Sequence, residues 1–275
     1  QGLQRYVLLS MLGALSPIFL AILTLVFVVY LNTGLAGAFL TRLASGLIVM
    51  ILALWFLRDF TTRSRASYRE EWPTIRQALM PATLLVVCTT LLIAFERLFV
   101  RNFLFEESGG LAAIITLGQI PMWLLTPLAT VLLPLASAEH ATGSDISKRL
   151  THAVAIGSFV TLCCAVFFAL VSTPLFGWWW PAYLDYAHLV WPYTVAMGLH
   201  SVIIMVITVE FARHEYHGII WLTMVSAAAC AALYWFRGSV TDLSTIVWAQ
   251  VGIRALVLAG IMPIVWWRMK GRTVS

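Results

Sequence analysis

The chain has 275 residues, of which 61% are hydrophobic and only 11% are charged, whereas a soluble domain has about 45–50% apolar and about 25% charged residues. This composition excludes an ordinary soluble domain and indicates a helical protein that crosses a membrane several times. The net charge of +5 does not indicate nucleic-acid binding, because the basic residues cluster in the loops on one predicted side of the membrane.

Eight apolar runs are long enough to form membrane helices, each of which needs about 20 apolar residues. They lie at 7–30, 35–57, 77–99, 111–133, 152–176, 187–210, 218–236 and 244–267. The sequence therefore predicts an all-α, polytopic integral membrane protein with eight transmembrane helices. The chain begins at Gln1 and carries no signal peptide, so we expect it to be a piece of a longer protein.

The polar run RDFTTRSRASYREEWPTIR at 58–76 sets the predicted orientation. Arginine-rich loops beside membrane spans stay on the cytoplasmic side. On the same predicted side lie Arg5, Arg58, Arg63, Arg65, Arg69, Arg76, Lys148, Arg149, Arg213, Arg268, Lys270 and Arg272. The opposite side carries only Arg97, Arg101 and Arg237. Both termini are therefore predicted to be cytoplasmic.

Two arginines fall inside predicted spans, where an ionisable residue is costly and marks a candidate site. Arg254 lies roughly 15 Å into the last span, at about 1.5 Å per residue, which is near the bilayer midplane. It either faces a water-filled lumen or forms a structural ion pair. Arg42 lies roughly 10 Å into the second span, so it either faces the lumen or snorkels to the outer headgroups.

Three further ionisable residues in the spans are candidates. Glu96, near the outer end of the third span, is a candidate for proton coupling or for binding substrate hydroxyls. His200, in the middle of the sixth span, is either a proton relay or a hydrogen-bonded packing residue. Glu210 is followed three residues later by Arg213, and this spacing favours a surface ion pair.

The loop FGWWWPAYLDY after the fifth span is rich in aromatic residues and contains no Lys or Arg. Tryptophan and tyrosine are enriched where membrane proteins meet the headgroups. The loop is therefore either an interfacial aromatic belt at the outer face or a surface on which sugars stack.

Five stretches follow one another in order: QGLQRY at 1–6, NTGLAGAFLTR at 32–42, FERLFVRNFLFEESGGLAA at 95–113, IPMWLLTPLATVLLPLAS at 120–137 and LFGWWWPAY at 175–183. Together with the topology, they resemble the oligosaccharide-lipid flippases of the multidrug/oligosaccharidyl-lipid/polysaccharide exporter superfamily. The stretches are similar to the start of that family's fifth helix, its fifth-to-sixth turn, its seventh-to-eighth connection, its eighth helix and its ninth-to-tenth turn. The family usually carries Asp where this chain has Glu96.

The resemblance implies that the eight spans are helices five to twelve of a twelve-helix, two-lobe transporter. Residues 1–57 would be the last two helices of the N-terminal lobe, 58–76 the cytoplasmic linker and 77–275 the six-helix C-terminal lobe. The implied function is export by alternating access of an undecaprenyl-pyrophosphate-linked oligosaccharide across the bacterial inner membrane. Its products would be cell-envelope polysaccharides such as lipopolysaccharide.

This resemblance gives the charged residues in the spans their expected roles. The candidates for substrate binding are Arg254, Arg42 and Glu96. Arginine binds phosphate through a bidentate fork, and the carboxyl group of Glu96 is a candidate for binding substrate hydroxyls. Glu96 and His200 are candidates for proton or ion coupling. We expect no catalytic residue, cofactor, metal or nucleic acid. The expected partners are the lipid-linked oligosaccharide, membrane lipids and other polysaccharide assembly proteins.

Two alternatives stay open. A cation-coupled multidrug exporter of the same superfamily would favour an acidic lumen over one lined with arginine. A membrane glycan polymerase or ligase would be an enzyme, and such enzymes tend to carry a long outer loop rich in Arg, His or acidic residues. The outer loops predicted here are short.

Overall fold

The computed structural model of the chain describes residues 15, 18–61, 68–142, 146–213 and 215–271. Within these ranges, the side chains at 35, 57–61, 68–71, 73–78, 140–142 and 268–271 are not described. The stretch QGLQRY, most of the first half of the predicted span at 7–30, the middle of the predicted linker and both termini lie outside the described residues.

The described chain is all helical. Its helices are α1 (Ile18–Tyr30), α2 (Gly34–Thr61), α3 (Tyr68–Phe103), α4 (Ser108–Gly118), α5 (Ile120–Thr142), α6 (Ser147–Trp179), α7 (Val190–Ala212), α8 (His217–Trp235) and α9 (Leu243–Gly271). A 3-10 segment, Pro181–Leu189, leads into α7. Seven of the described helical segments are long and apolar enough to cross a membrane. The protein is therefore an all-α polytopic membrane protein, as the composition predicts.

One predicted span is divided in the structure. The apolar run at 111–133 forms α4 and α5, which meet at Gln119, and the membrane-length segment is Ile120–Glu139. Pro121 has no backbone N–H with which to continue the helical ladder. The N–H of Gln119 donates to the carbonyl of Ile115 at 3.1 Å and also to the carbonyl of Leu117, and α4 ends at Gly118. The span consequently begins about two helical turns later than hydropathy suggests.

The chain divides into two compact units, residues 1–73 and 74–275. In the N-terminal unit, α1 and α2 are joined by a tight turn in which Asn32 and Gly34 have positive φ angles of 51° and 56°. This left-handed conformation favours asparagine and glycine. The hydroxyl of Thr41 on α2 donates to the carbonyl of Leu23 on α1 at 3.3 Å, which ties the two helices together.

Helix α7 is the central helix of the C-terminal unit, and it packs against α4, α5, α6 and α9. Small residues allow close approach in two of these contacts, as is common between membrane helices. Gly198 of α7 lies against Thr161 of α6, and Gly118 at the end of α4 lies against the ring of Tyr193. Glu96 of α3 and Arg254 of α9 belong to the same unit as this helix.

Candidate functional site

Two opposite charges are buried inside the C-terminal unit. Glu96 on α3 and Arg254 on α9 are both 0% exposed. An ion removed from water is stable only when other polar groups replace its hydration. Each of these residues therefore needs partners inside the protein, and the partners identify the neighbourhood of the candidate site.

The carboxyl group of Glu96 is hydrogen-bonded on one oxygen only. The hydroxyl of Tyr193, on α7, donates to Oε1 of Glu96 at 2.5 Å. The second oxygen, Oε2, is buried and has no hydrogen-bond partner among the described residues. Buried polar atoms are nearly always satisfied in proteins, so an open carboxyl oxygen indicates a place for a proton, an ion or a water molecule.

Arg254 is bound mainly to its own helix. Its Nη1 donates to the backbone carbonyl of Gln250 at 3.3 Å and also to the side-chain oxygen of Gln250. Nε and Nη2 of Arg254 are buried and have no hydrogen-bond partner in the part of the chain that the structure describes. Among the described residues, no carboxylate forms a salt bridge with Arg254. The guanidinium group therefore has buried N–H donors that no described acceptor satisfies.

Arg254 nevertheless lies within electrostatic range of the other buried polar groups. Its charge acts on Glu96, Tyr193 and His200. These four residues, which we call the buried polar cluster, come from α3, α7 and α9. The structure therefore brings together three of the sequence candidates, Glu96, His200 and Arg254, around the central helix.

His200 connects the buried polar cluster to a groove. The side chain is 4% exposed, and its Nδ1 has no hydrogen-bond partner within the described ranges. It lines a cavity of about 340 Å³ between α5 and α7, whose other walls include Leu125, Ala129 and Ser201. A buried imidazole with a free ring nitrogen can accept or donate a hydrogen bond to a molecule in this groove.

Arg42 is placed differently from the other candidates. It lies on α2 in the N-terminal unit, and its side chain is exposed. Exposure is compatible with either predicted position, in a lumen or reaching toward headgroups. Its role stays a prediction, as do the roles of Arg254, Glu96 and His200.

The predicted surface ion pair between Glu210 and Arg213 does not have the expected form. Glu210 is only 2% exposed and accepts the backbone N–H of Gly218 at 2.8 Å. Arg213 instead forms a salt bridge with Glu215 at 3.5 Å. The carboxylate of Glu210 therefore binds an N–H group at the start of α8, where the helix dipole favours negative charge.

The aromatic stretch predicted as a loop is helical in the structure, because Trp178 and Trp179 belong to the end of α6 and the 3-10 segment begins at Pro181. Its rings are partly exposed and partly internal. Trp178 and Trp179 are 76% and 53% exposed, and their rings stack with centroids 5.7 Å apart. Trp180 packs edge-on against Phe176, which is fully buried. The two exposed rings retain both predicted alternatives, an interfacial belt or a stacking surface.

Two residues of the site were not predicted from the sequence. Gln250 precedes Arg254 by four residues, so their contact along one helix face could have been recognised. Tyr193 carries no such signal, because it is 97 residues from Glu96 and meets it only in the folded protein. Searches of protein-family models, curated proteins and solved structures found no match to this chain.

Proposed function

We propose that this protein belongs to a transporter that flips an undecaprenyl-pyrophosphate-linked oligosaccharide across the bacterial inner membrane by alternating access. The observation that carries the proposal is Arg254, a fully buried arginine with two open nitrogen atoms and no salt bridge among the described residues. A pyrophosphate is an anion that arginine binds through paired hydrogen bonds. An arginine kept free of carboxylates is therefore suited to receive it.

Glu96 and His200 supply the proposed coupling. A transporter that drives an anionic headgroup across the membrane needs a second group whose charge changes during the cycle. Buried carboxyl and imidazole groups near a fixed positive charge are suited to this task. Proton loss from Glu96 to water would leave a carboxylate that attracts Arg254, and proton uptake would release the arginine for the substrate.

The proposed architecture follows the resemblance. The chain would supply helices five to twelve, with residues 77–275 as the C-terminal lobe and both termini in the cytoplasm. The apolar chain of the lipid would stay in the bilayer while the headgroup crosses. The protein would act without chemical conversion of its substrate, together with other polysaccharide assembly proteins. Its products would serve cell-envelope polysaccharides such as lipopolysaccharide.

A cation-coupled multidrug exporter is the second candidate, and Glu96 is the observation that favours it. Oε2 of Glu96, which has no hydrogen-bond partner among the described residues, could bind a cationic drug or a coupling cation instead of a proton. The two functions differ in what Arg254 does. It would bind substrate in the flippase, whereas in the drug exporter it would repel the substrate.

The deciding experiment uses the protein reconstituted in liposomes. Flipping of a fluorescent undecaprenyl-pyrophosphate oligosaccharide is measured for the wild type, Arg254→Ala and Arg254→Lys. We expect Arg254→Ala to lose at least about tenfold in rate, which is about 1.4 kcal/mol, and Arg254→Lys to retain part of the activity. Lysine keeps the charge but loses the bidentate fork.

Arg237→Ala is the matched control, because Arg237 is an exposed arginine of the same unit that stacks over Tyr234. It should flip at the wild-type rate. Thermal unfolding of each variant separates loss of function from loss of fold. A folded Arg254→Ala protein that flips at the wild-type rate would contradict the proposal. Efflux of a cationic dye that requires Glu96 would favour the drug exporter.

A further inference from the structure

The hydroxyl of Tyr193 determines which oxygen of Glu96 is open. It donates to Oε1 at 2.5 Å, and both side chains are 0% exposed. An oxygen that already accepts a strong hydrogen bond is a poorer site for a proton than a free one. Oε2, which has no partner, is therefore the atom of Glu96 at which a proton binds or leaves.

The ring of Tyr193 is held in place by a glycine. Gly118 is the last residue of α4, and a Cβ atom at this position would lie 2.5 Å from Cδ1 of Tyr193. Real Cβ atoms do not come so close to a ring carbon. Since the ring belongs to the buried helix α7, it cannot retreat without a shift of that packing. The end of α4 thus fixes the ring, and the ring fixes the hydroxyl.

Two neighbouring tyrosines make the same kind of contact without touching Glu96. Tyr183 packs on Gly109, and Tyr186 packs on Gly110. A Cβ atom at Gly110 would lie 2.5 Å from Cδ2 of Tyr186, the same distance as at Gly118. Gly110 therefore provides a control in the same helix that is at least as crowded as Gly118 and whose tyrosine forms no described hydrogen bond with the carboxyl group of Glu96.

We infer that Tyr193 is the positioning residue for the carboxyl group of Glu96 and that Gly118 fixes the position of the Tyr193 ring. The end of α4 thereby governs proton binding at Oε2 of Glu96. The assignment deepens the proposed function, on which the coupling role of Glu96 rests. The other described groups that act on Glu96 are Arg254 on α9 and Arg97 on its own helix. Neither of them forms a hydrogen bond with Glu96 among the described contacts, so Tyr193 alone can select between its oxygens.

The test measures the infrared bands of the Glu96 carboxyl group directly, without transport. Bands that disappear in Glu96→Gln identify this residue. We expect these bands to shift in Tyr193→Phe, which keeps the ring on Gly118 but removes the hydroxyl. We also expect a shift in Gly118→Ala, which displaces the ring but leaves the hydroxyl and Glu96 unchanged in sequence. Gly110→Ala should leave the bands where they are in the wild type.

The inference is overturned if the Glu96 bands of folded Tyr193→Phe coincide with those of the wild type. It is also overturned if Gly110→Ala shifts them as much as Gly118→Ala does, because the effect would then be general loosening of α4. Should Gly118→Ala fail to fold, Tyr193→Phe still decides, since it adds no atoms.

Transport provides a separate arm for the proposed function. A hydrogen bond to a carboxyl group changes how readily that group binds a proton, so the pH at half-maximal flipping should move by about one unit or more in Tyr193→Phe. If the infrared bands shift while the pH profile does not move, Tyr193 positions Glu96 but Glu96 does not couple transport. If neither changes, the positioning role itself is wrong.

Discussion

Helices α7 and α2 are both apolar and long enough to cross a membrane, yet their surroundings differ sharply. The span Pro181–Ala212 contains α7, and 72% of the residues in its 18-residue apolar stretch are buried. In the span Ala36–Phe56 of α2 the corresponding share is 11%. Apolar residues therefore mark both helices as membrane spans without distinguishing the one surrounded by protein. The titratable residues differ between the two helices, because Tyr193 and His200 of α7 lie in the interior while Arg42 of α2 is exposed.

The largest expected difference between the two regions concerns their arginines. A charge that is buried without a salt bridge costs free energy of desolvation, and an apolar residue of similar length removes that cost. We expect Arg254→Met to unfold at the wild-type temperature or above it while losing transport. Arg42→Met changes an exposed side chain, so its stability should stay within about 0.5 kcal/mol of the wild type.

Thermal unfolding in detergent and flipping in liposomes, measured on the same preparations, check this pair. A strongly destabilised Arg254→Met protein would show that the guanidinium holds the fold together and is not reserved for a substrate. A destabilised Arg42→Met protein would show that α2 is packed through its charged side chain.

Glycine substitutions test the same contrast through packing. A Cβ atom on Gly198 of α7 would collide with Thr161 of α6, whose hydroxyl is already bonded to the carbonyl of Gly157 at 2.7 Å. Gly46 of α2 has open space around it. Gly198→Ala should therefore cost about 1–3 kcal/mol by overpacking. Gly46→Ala should be neutral or gain up to about 1 kcal/mol from helix propensity.

Unfolding temperatures of the two single variants give the comparison. The double variant Thr161→Gly with Gly198→Ala moves the small residue to the other side of the interface and should recover most of the lost stability. Equal stability of Gly198→Ala and Gly46→Ala would mean that α6 and α7 are not in close contact.

Much of the fold follows from the sequence, and the exceptions have local causes. Long apolar runs predict the described spans because a membrane helix must satisfy its backbone polar groups internally. The break at Gln119 was not predicted, although Pro121 carries the reason for it. Hydropathy averages over a window and cannot register one missing N–H group. The depth of Arg254 in the bilayer stays a prediction, because the residue number gives only its distance along α9.

The partners of the buried charges could not be predicted in the same way. The contact between Tyr193 and Glu96 depends on how α7 packs against α3, and neither helix carries a local signal of its neighbour. A sequence also does not show which buried polar atoms lack a hydrogen-bond partner. That Oε2 of Glu96 and Nη2 of Arg254 lack partners becomes visible only when the surrounding side chains are in place.

The smallest expected effect concerns Asp242, an exposed carboxylate that contrasts with the buried Glu96. Asp242 precedes α9, and its Oδ1 accepts the backbone N–H of Thr245 at 2.8 Å and the Thr245 hydroxyl at 2.6 Å. These hydrogen bonds lower the pKa of Asp242 below its ordinary value. A lowered pKa in the folded state means that the carboxylate stabilises the fold above the unfolded-state pKa of about 3.9 and loses this contribution as pH falls through the folded-state pKa.

Asp242→Ala should therefore lower stability by about 1 kcal/mol near neutral pH, as expected for loss of a helix N-cap. The difference from the wild type should shrink as the pH falls below about 4, where aspartate takes up its proton.

Asp242→Asn is the matched control, because asparagine also caps helices but does not titrate. It should be nearly as stable as the wild type near neutral pH and should keep its capping contribution in acid. Unfolding temperatures of the three proteins across this range provide the measurement. A stability difference between Asp242→Ala and the wild type that persists unchanged in acid would mean that the cap does not depend on the charge of Asp242.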